Sequence, residues 1–292
     1  MPFTLAHLSD IHLAPLPAVH ALDLFGKRIT GYLNWQRKRR FVHDRAVLDA
    51  IVADVKAQAP DHIAVTGDIA NIGVEGEYAA GRAFLDGLGT PATVSFVPGN
   101  HDIYVPESIG FAERAWSDFM RGDNRESFPY LKTRGPLAII GLNTGVPTAP
   151  FQATGTLGER QLAALGPLLD RARANQAFRV VLIHHPPVSD SPHHKRLTDA
   201  EAFKQVIAAH GAELILHGHD HLDMLNVIAG PNGARVPAIG GPSASAAPAT
   251  DKDDAGYHLY RIDGHAGAWR CEMVSRAMGA DGVVKEVKRE ML

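Results

Sequence analysis

Apolar residues gather along the chain in short runs, most of which end at Gly, Asp, Asn or His. Residues 3–8, 62–66, 93–97, 136–143, 179–183 and 213–216 are of this kind, and their length and β-branched content predict buried strands. Between them the period lengthens. Over 44–58, Val47, Leu48, Ile51, Val52 and Val55 share one side of a helix. Helices are also predicted over 75–88, 158–174 and 198–210, the last opened by the capping-box pattern Thr198-Asp-Ala-Glu201. Strand alternating with helix predicts an α/β fold.

Toward the C-terminus, 224–229, 235–239, 257–262 and 269–274 read as strands, with turns at Pro231-Asn-Gly233 and Asp263-Gly264, so antiparallel pairing is expected there. The stretch 240–250, rich in Gly, Ala, Ser and Pro, is the candidate mobile loop. A main domain is expected over 1–275, followed by a tail over 276–292.

Five short motifs stand at the ends of predicted strands: Asp10-Ile-His12, Gly67-Asp68, Gly99-Asn100-His101-Asp102, His184-His185-Pro-Pro and Gly218-His219-Asp-His221. Strand ends are where α/β folds place sites, because the sheet fixes position while the loops leave room for a ligand. Imidazoles, carboxylates and an amide suit divalent Mn, Fe, Zn or Co, and seven candidate ligands exceed the three or four a single catalytic zinc takes. Each motif alone is common. Their joint occurrence in this order points to a pair of metals.

In these motifs the chain resembles the calcineurin-like metallophosphoesterase superfamily, whose signature is Asp-x-His, Gly-Asp, Gly-Asn-His-Asp/Glu, a lone His, then Gly-His-x-His. The match spans roughly residues 5–221. The resemblance implies a four-layer αββα sandwich with the site at the C-terminal ends of its strands. It implies Asp10, His12, Asp68 and His221 around one metal, and Asp68, Asn100, His184 and His219 around the other, with Asp68 as the bridge. It also implies phosphodiester hydrolysis by a metal-bridging hydroxide, with His101 stabilising charge or protonating the leaving group and Asp102 orienting it. His185 is expected to pack or to contact substrate, Asn71 to contact substrate, and His217 to be structural.

The motif variants narrow the group. Protein phosphatases of this superfamily carry Gly-Asp-Tyr-Val-Asp-Arg-Gly and Gly-Asn-His-Glu, whereas this chain has Gly67-Asp-Ile-Ala-Asn71 and Gly99-Asn-His-Asp102. Asn71 stands where purple acid phosphatases place their tyrosine, and His101 where the UDP-diacylglucosamine pyrophosphohydrolases carry Arg. The combination is most similar to bacterial class III cyclic nucleotide phosphodiesterases and glycerophosphodiesterases. Glycerophosphodiesters, phospholipid head groups and cyclic nucleotides are therefore the expected substrate classes. A non-catalytic scaffold on the same fold is the competing reading, distinguished by metal content.

Charge adds one feature. The net charge of -3 gives no reason to expect nucleic acid, but residues 24–41 interleave Lys27, Arg28, Arg37, Lys38, Arg39 and Arg40 with Phe25, Ile29, Tyr32, Leu33, Trp35 and Phe41. That composition suits a substrate cap, a contact with an anionic membrane, or a helix packed on the sandwich. With no apolar run of about 18 residues and a single cysteine, Cys271, a cytoplasmic location is expected.

Overall fold

In the first sheet β1 (Phe3–Leu8) lies parallel to β2 (His62–Val65), and β2 to β3 (Val94–Phe96). The other side of the sheet is antiparallel and gives the order β12-β11-β10-β1-β2-β3, with β10 at Gly256–Asp263, β11 at Arg270–Met278 and β12 at Val284–Met291. The second sheet runs β4-β5-β6-β7-β9-β8. Its members are β4 (Tyr130–Arg134), β5 (Leu137–Gly141), β6 (Phe178–Leu182), β7 (Leu214–His217), β8 (Met224–Ala229) and β9 (Arg235–Gly240). Strands β5, β6, β7 and β9 are mutually parallel, with β4 and β8 antiparallel at the edges. This computed structural model describes residues 2–248 and 252–292.

Alternation along the strands divides their side chains between three cores. In β1, Leu5 points into a core shared by both sheets, while Ala6 and Leu8 pack with α2 (Arg45–Ala57), α3 (Glu75–Leu88) and α4 (Pro106–Trp116). In β5, Leu137 and Ile139 enter the shared core, and Ala138 and Ile140 face α5 (Gly158–Ala174) and α6 (Ala200–His210). Both faces of each central strand are apolar because both are covered, as parallel sheets require. The result is the expected αββα sandwich.

Two elements differ from the sequence reading. Residues 276–292 are not a separate tail: the 275/276 boundary falls inside β11, and β12 pairs with it as the sheet edge. β12 (VKEVKREM) is exposed along most of its length, so it lacks the one-sided apolar alternation that marks a strand and carries the charges that suit an edge. The stretch 240–246 is buried and tied to the first motif, with Ala244 N donating to Ser9 O and Ser243 Oγ to Asp10 O. Its small residues permit that close approach of backbones; the part of the candidate loop over 249–250 lies outside the described residues. The segment expected to be a cap, a membrane contact or a packed helix folds as α1 (Lys27–Arg37) with two short 3-10 turns at Ala21–Leu24 and Arg39–Phe41, and is termed the cap.

Candidate metal centre

The motifs meet beyond the C-terminal ends of β1, β2, β3, β6 and β7, and the backbone turns sharply to bring them there. Asp10, His12, Asp68, His219 and His221 all have positive φ, between 40° and 75°. For residues other than glycine this conformation costs roughly 1–2 kcal/mol each, and such strain concentrates at functional sites. It lets the chain reverse within a residue of the strand end. Close approach of the loops requires glycine as well: a Cβ on Gly99 would fall on Asp68 Oδ1 and 2.7 Å from the His184 ring, and one on Gly218 would fall on Asp10.

Two groups of ligand atoms result, Asp10/His12/His221 and Asp10/Asp68/His184, each with its atoms within 4.8 Å of one another. His221 Nε2 is 3.3 Å from Asp10 Oδ1, and His184 Nε2 is 3.4 Å from Asp68 Oδ2. The same Asp68 oxygen lies 3.8 Å from His12 Nε2, so Asp68 reaches rings of both sets. Asn100 Oδ1 meets His219 Nδ1 at 2.9 Å. The seven sequence-derived ligands are thus brought together.

The chemistry of this donor set fits cations. His12 Nδ1 meets Ala70 O at 3.1 Å and His184 Nδ1 meets Thr66 O at 2.6 Å; such carbonyl contacts set the tautomer and leave Nε2 as the ligand atom. His184 Nε2 and His219 Nε2 are buried without a hydrogen-bond partner. His12 Nε2 and His221 Nε2 face each other at 3.3 Å. Burial pushes Asp10 up, but His221 and His184 hold it below the ordinary carboxylate range, and Asp68 lies well below it for the same reason, through His184 and His101. Burial opposes the charge on His184, yet Asp68 and Asp10 raise its pKa to about 10. Buried carboxylates here draw positive charge from whatever cation stands beside them.

The dyad differs from expectation. Asp102 does not touch His101. Its Oδ2 accepts from the N–H groups of Asp68 (2.7 Å) and Gly99 (2.9 Å), and its Oδ1 from those of Ile69 and Ala70, both at 2.9 Å. Three N–H groups of the 68–70 loop and one from Gly99 converge on the carboxylate, so Asp102 shapes the loop that carries Asp68. Burial and Asp68 push it up to about 7, against the N–H groups of Ala70 and Gly99. His101 is oriented instead by Asn71 O, 2.5 Å from Nδ1, and stacks on Tyr104 at 5.5 Å. Burial and Arg39 lower its pKa to about 3.

Asn71 itself is buried, its amide donating to Leu13 O; its backbone carbonyl, not its side chain, reaches the site. His185 packs its ring 4.4 Å from His219, with Nδ1 at Thr144 Oγ1 and Nε2 at Ala153 O, so both nitrogens are engaged within the protein. His217 is buried with Nδ1 beside Gly218 O, in line with its structural reading.

Two residues were not singled out by the motifs. Arg39, from the cap, lies within hydrogen-bond distance of His12 (2.9 Å) and His101 (2.6 Å). His43 places its ring 4.4 Å from that of His12 and its Nδ1 2.9 Å from Ser245 Oγ. Their signal was the dense cationic run 37–40 ending next to an isolated histidine.

Comparison with known proteins agrees with this geometry. The family model for calcineurin-like phosphoesterases matches residues 3–223, and the chain belongs to that family of metal-dependent phosphoesterases. A probable cyclic nucleotide phosphodiesterase from Synechococcus sp. is 28% identical over 176 residues, which cover 59% of this chain and 62% of that relative. The chain thus spans about three-fifths of the length of the curated relative it matches. Among solved structures, a dimetal phosphatase from Danio rerio superposes with a TM-score of 0.65 at 14% identity, covering 100% of this chain and 99% of its own. A purple acid phosphatase from yellow lupin (Lupinus luteus) seeds superposes with a TM-score of 0.60 at 12% identity, covering 100% and 53%. These likenesses establish the fold. No helix among the described residues is long and apolar enough to cross a membrane.

Proposed function

We propose that the chain hydrolyses a phosphodiester at a dinuclear metal centre. The observation that carries this reading is the convergence of Asp10, Asp68, His12, His184, His219 and His221, with orphaned ring nitrogens, beneath the Arg39 guanidinium. Asp10, His12, Asp68 and His221 would hold one divalent ion, and Asp68, Asn100, His184 and His219 the other. Such a pair, when bound, supplies Lewis acidity and acidifies a coordinated water.

The chain's own groups do the rest. Arg39 would bind a non-bridging phosphoryl oxygen through its fork of N–H donors. His101, its Nδ1 held by Asn71 O, presents Nε2 to the leaving oxygen. As the oxygen of water bonds to phosphorus and water gives up a proton, the bond from phosphorus to the departing alcohol breaks, and that alkoxide takes a proton from Nε2 of the His101 imidazolium, the form that a bound anionic phosphate stabilises against burial and Arg39.

Support for a diester comes from the motif variants Gly67-Asp-Ile-Ala-Asn71 and Gly99-Asn-His-Asp102. Glycerophosphodiesters and phospholipid head groups are favoured by the cap over the site. A cyclic nucleotide is the second reading, favoured by the Synechococcus relative's name. Metal-loaded protein should turn over bis(p-nitrophenyl) phosphate faster than p-nitrophenyl phosphate; preference for the monoester would sink the diester reading. Fewer than one bound transition ion per chain, after replenishment without chelator, would favour a scaffold.

A further inference from the structure

The cap wears its amphipathicity inside out. Lys27 is buried, its Nζ 2.6 Å from Thr148 Oγ1 and 3.1 Å from Gln152 O. Arg28 donates to Gly73 O at 2.8 Å, and Arg39 reaches His12 and His101. Large apolar side chains point the other way: Leu22 is 79% exposed, Phe25 74% and Phe41 64%, with Ile29 and Leu33 close to half exposed. Ile29 and Leu33, one turn apart on α1, form an outward apolar stripe, and Phe25 is exposed just ahead of the helix start at Lys27. A helix belonging wholly to a soluble core turns such a stripe inward, and a contiguous exposed apolar patch marks a site of association.

Charge says what the patch meets. Residues 21–41 hold six lysines and arginines against one aspartate, in a chain of net charge -3, and Arg37, Lys38 and Arg40 are exposed beside the apolar stripe. Basic residues flanking an exposed apolar stripe are the chemistry of a helix lying on an anionic lipid surface. A groove of about 750 Å³ beside the cap is lined by Leu16, Val19, Tyr32, Trp35 and Phe41 together with the charged Arg40, Asp44 and Arg45, and His43, whose ring abuts His12, is among its lining residues. Its size suits a small apolar ligand or an acyl chain.

We infer that the outer face of residues 21–41 docks on an anionic lipid surface, and that the site takes its phosphodiester from a lipid whose apolar chain lies in the Leu16–Phe41 groove. This rests on the diesterase reading above. The cap thereby joins two surfaces: apolar and basic toward the lipid, Arg39 toward the phosphate.

The test uses the full, metal-loaded chain with vesicles of phosphatidylcholine, with or without phosphatidylglycerol. Wild type should co-sediment with the phosphatidylglycerol vesicles and be released by salt. The triple substitution Phe25→Ser, Ile29→Ser, Leu33→Ser should weaken that binding by about tenfold or more while bis(p-nitrophenyl) phosphate turnover stays unchanged, which also reports that it is folded. In a second variant, Arg37→Gln with Lys38→Gln, each lost charge should cost roughly fivefold in binding. Absence of vesicle binding, or binding indifferent to the triple substitution, overturns the proposal. So does a wild-type dimer that the triple variant breaks into monomers, which would assign the face to a second copy. Loss of diester turnover by wild type would instead remove the function reading, independently of the vesicle result.

Discussion

The Arg39 guanidinium stands between two imidazoles, one nitrogen 2.6 Å from Nε2 of His101 and the other 2.9 Å from Nε2 of His12. One ring belongs to the expected ligand set and the other to the expected acid. A cation between them is attracted by Asp68 and Asp10, against the cost of its burial, and stands where the phosphate of the proposed substrate would meet it. Arg39→Gln should therefore leave metal content intact, raise KM for a diester about tenfold or more, and weaken inhibition by inorganic phosphate in parallel. Arg39→Lys should recover only part of this, because an ammonium lacks the planar fork. Unchanged KM and phosphate inhibition would place Arg39 outside substrate binding.

Apart from its backbone N–H, which donates to Asp68 Oδ1 at 2.8 Å, His101 makes no hydrogen bond to a carboxylate or a candidate ligand, although its ring stands edge-on to His12 at 5.1 Å. His101→Ala keeps that N–H. Bound metal should be retained and turnover should fall by roughly 10²–10⁴. Full turnover in the variant would exclude an acid role.

Asp102 is the stability counterpart. In Asp102→Asn one acceptor oxygen becomes an NH₂ facing backbone donors, leaving buried N–H groups unsatisfied. The cost should be about 2–4 kcal/mol in urea denaturation, with weaker metal binding because the Asp68 loop loosens. An unaltered denaturation midpoint would show that the four contacts carry no net stability.

Gly99→Ala probes the crowding of the loops. The added methyl overlaps Asp68 and the His184 ring, so one of them must move. Expected are a stability loss of roughly 1–3 kcal/mol and weaker metal binding by titration calorimetry. Wild-type metal affinity in this variant would mean that the loops yield without disturbing the ligands.

Chelation should lower the melting temperature, and readdition of Mn or Zn should restore it, because a ligand bound only by the folded chain stabilises it, by about 4 kcal/mol at a thousandfold excess over Kd. The carboxylate pair makes this specific: Asp68→Ala, which removes the shared oxygen, should lose most of the metal-dependent shift. A shift of wild-type size in that variant would argue against Asp68 as a bridge.

Much of the centre was legible because each motif is local. A strand ending in Asp-x-His or Gly-Asp carries its own evidence of both strand and ligand, and residues 3–8 already read as a short apolar run ahead of Asp10. Less legible was β12, whose exposed, charged faces hide its pairing with β11. The small-residue stretch after β9 has the composition of a loop, but is buried because small side chains let its backbone meet that of Ser9 and Asp10.

The sequence by itself determined most of the strand and helix alternation, the candidate ligand types and the family, since these depend on periodicity and on chemistry within a few residues. Only the tertiary structure decided what Asp102, Asn71, Arg39 and His43 do, because their partners lie in other segments. Asp102 spans to 68–70, Asn71 turns its carbonyl to His101, Arg39 crosses from the cap to His12 and His101, and His43 meets Ser245. Contacts between distant segments come from how loops pack on the sheets, and no local pattern of residues encodes them.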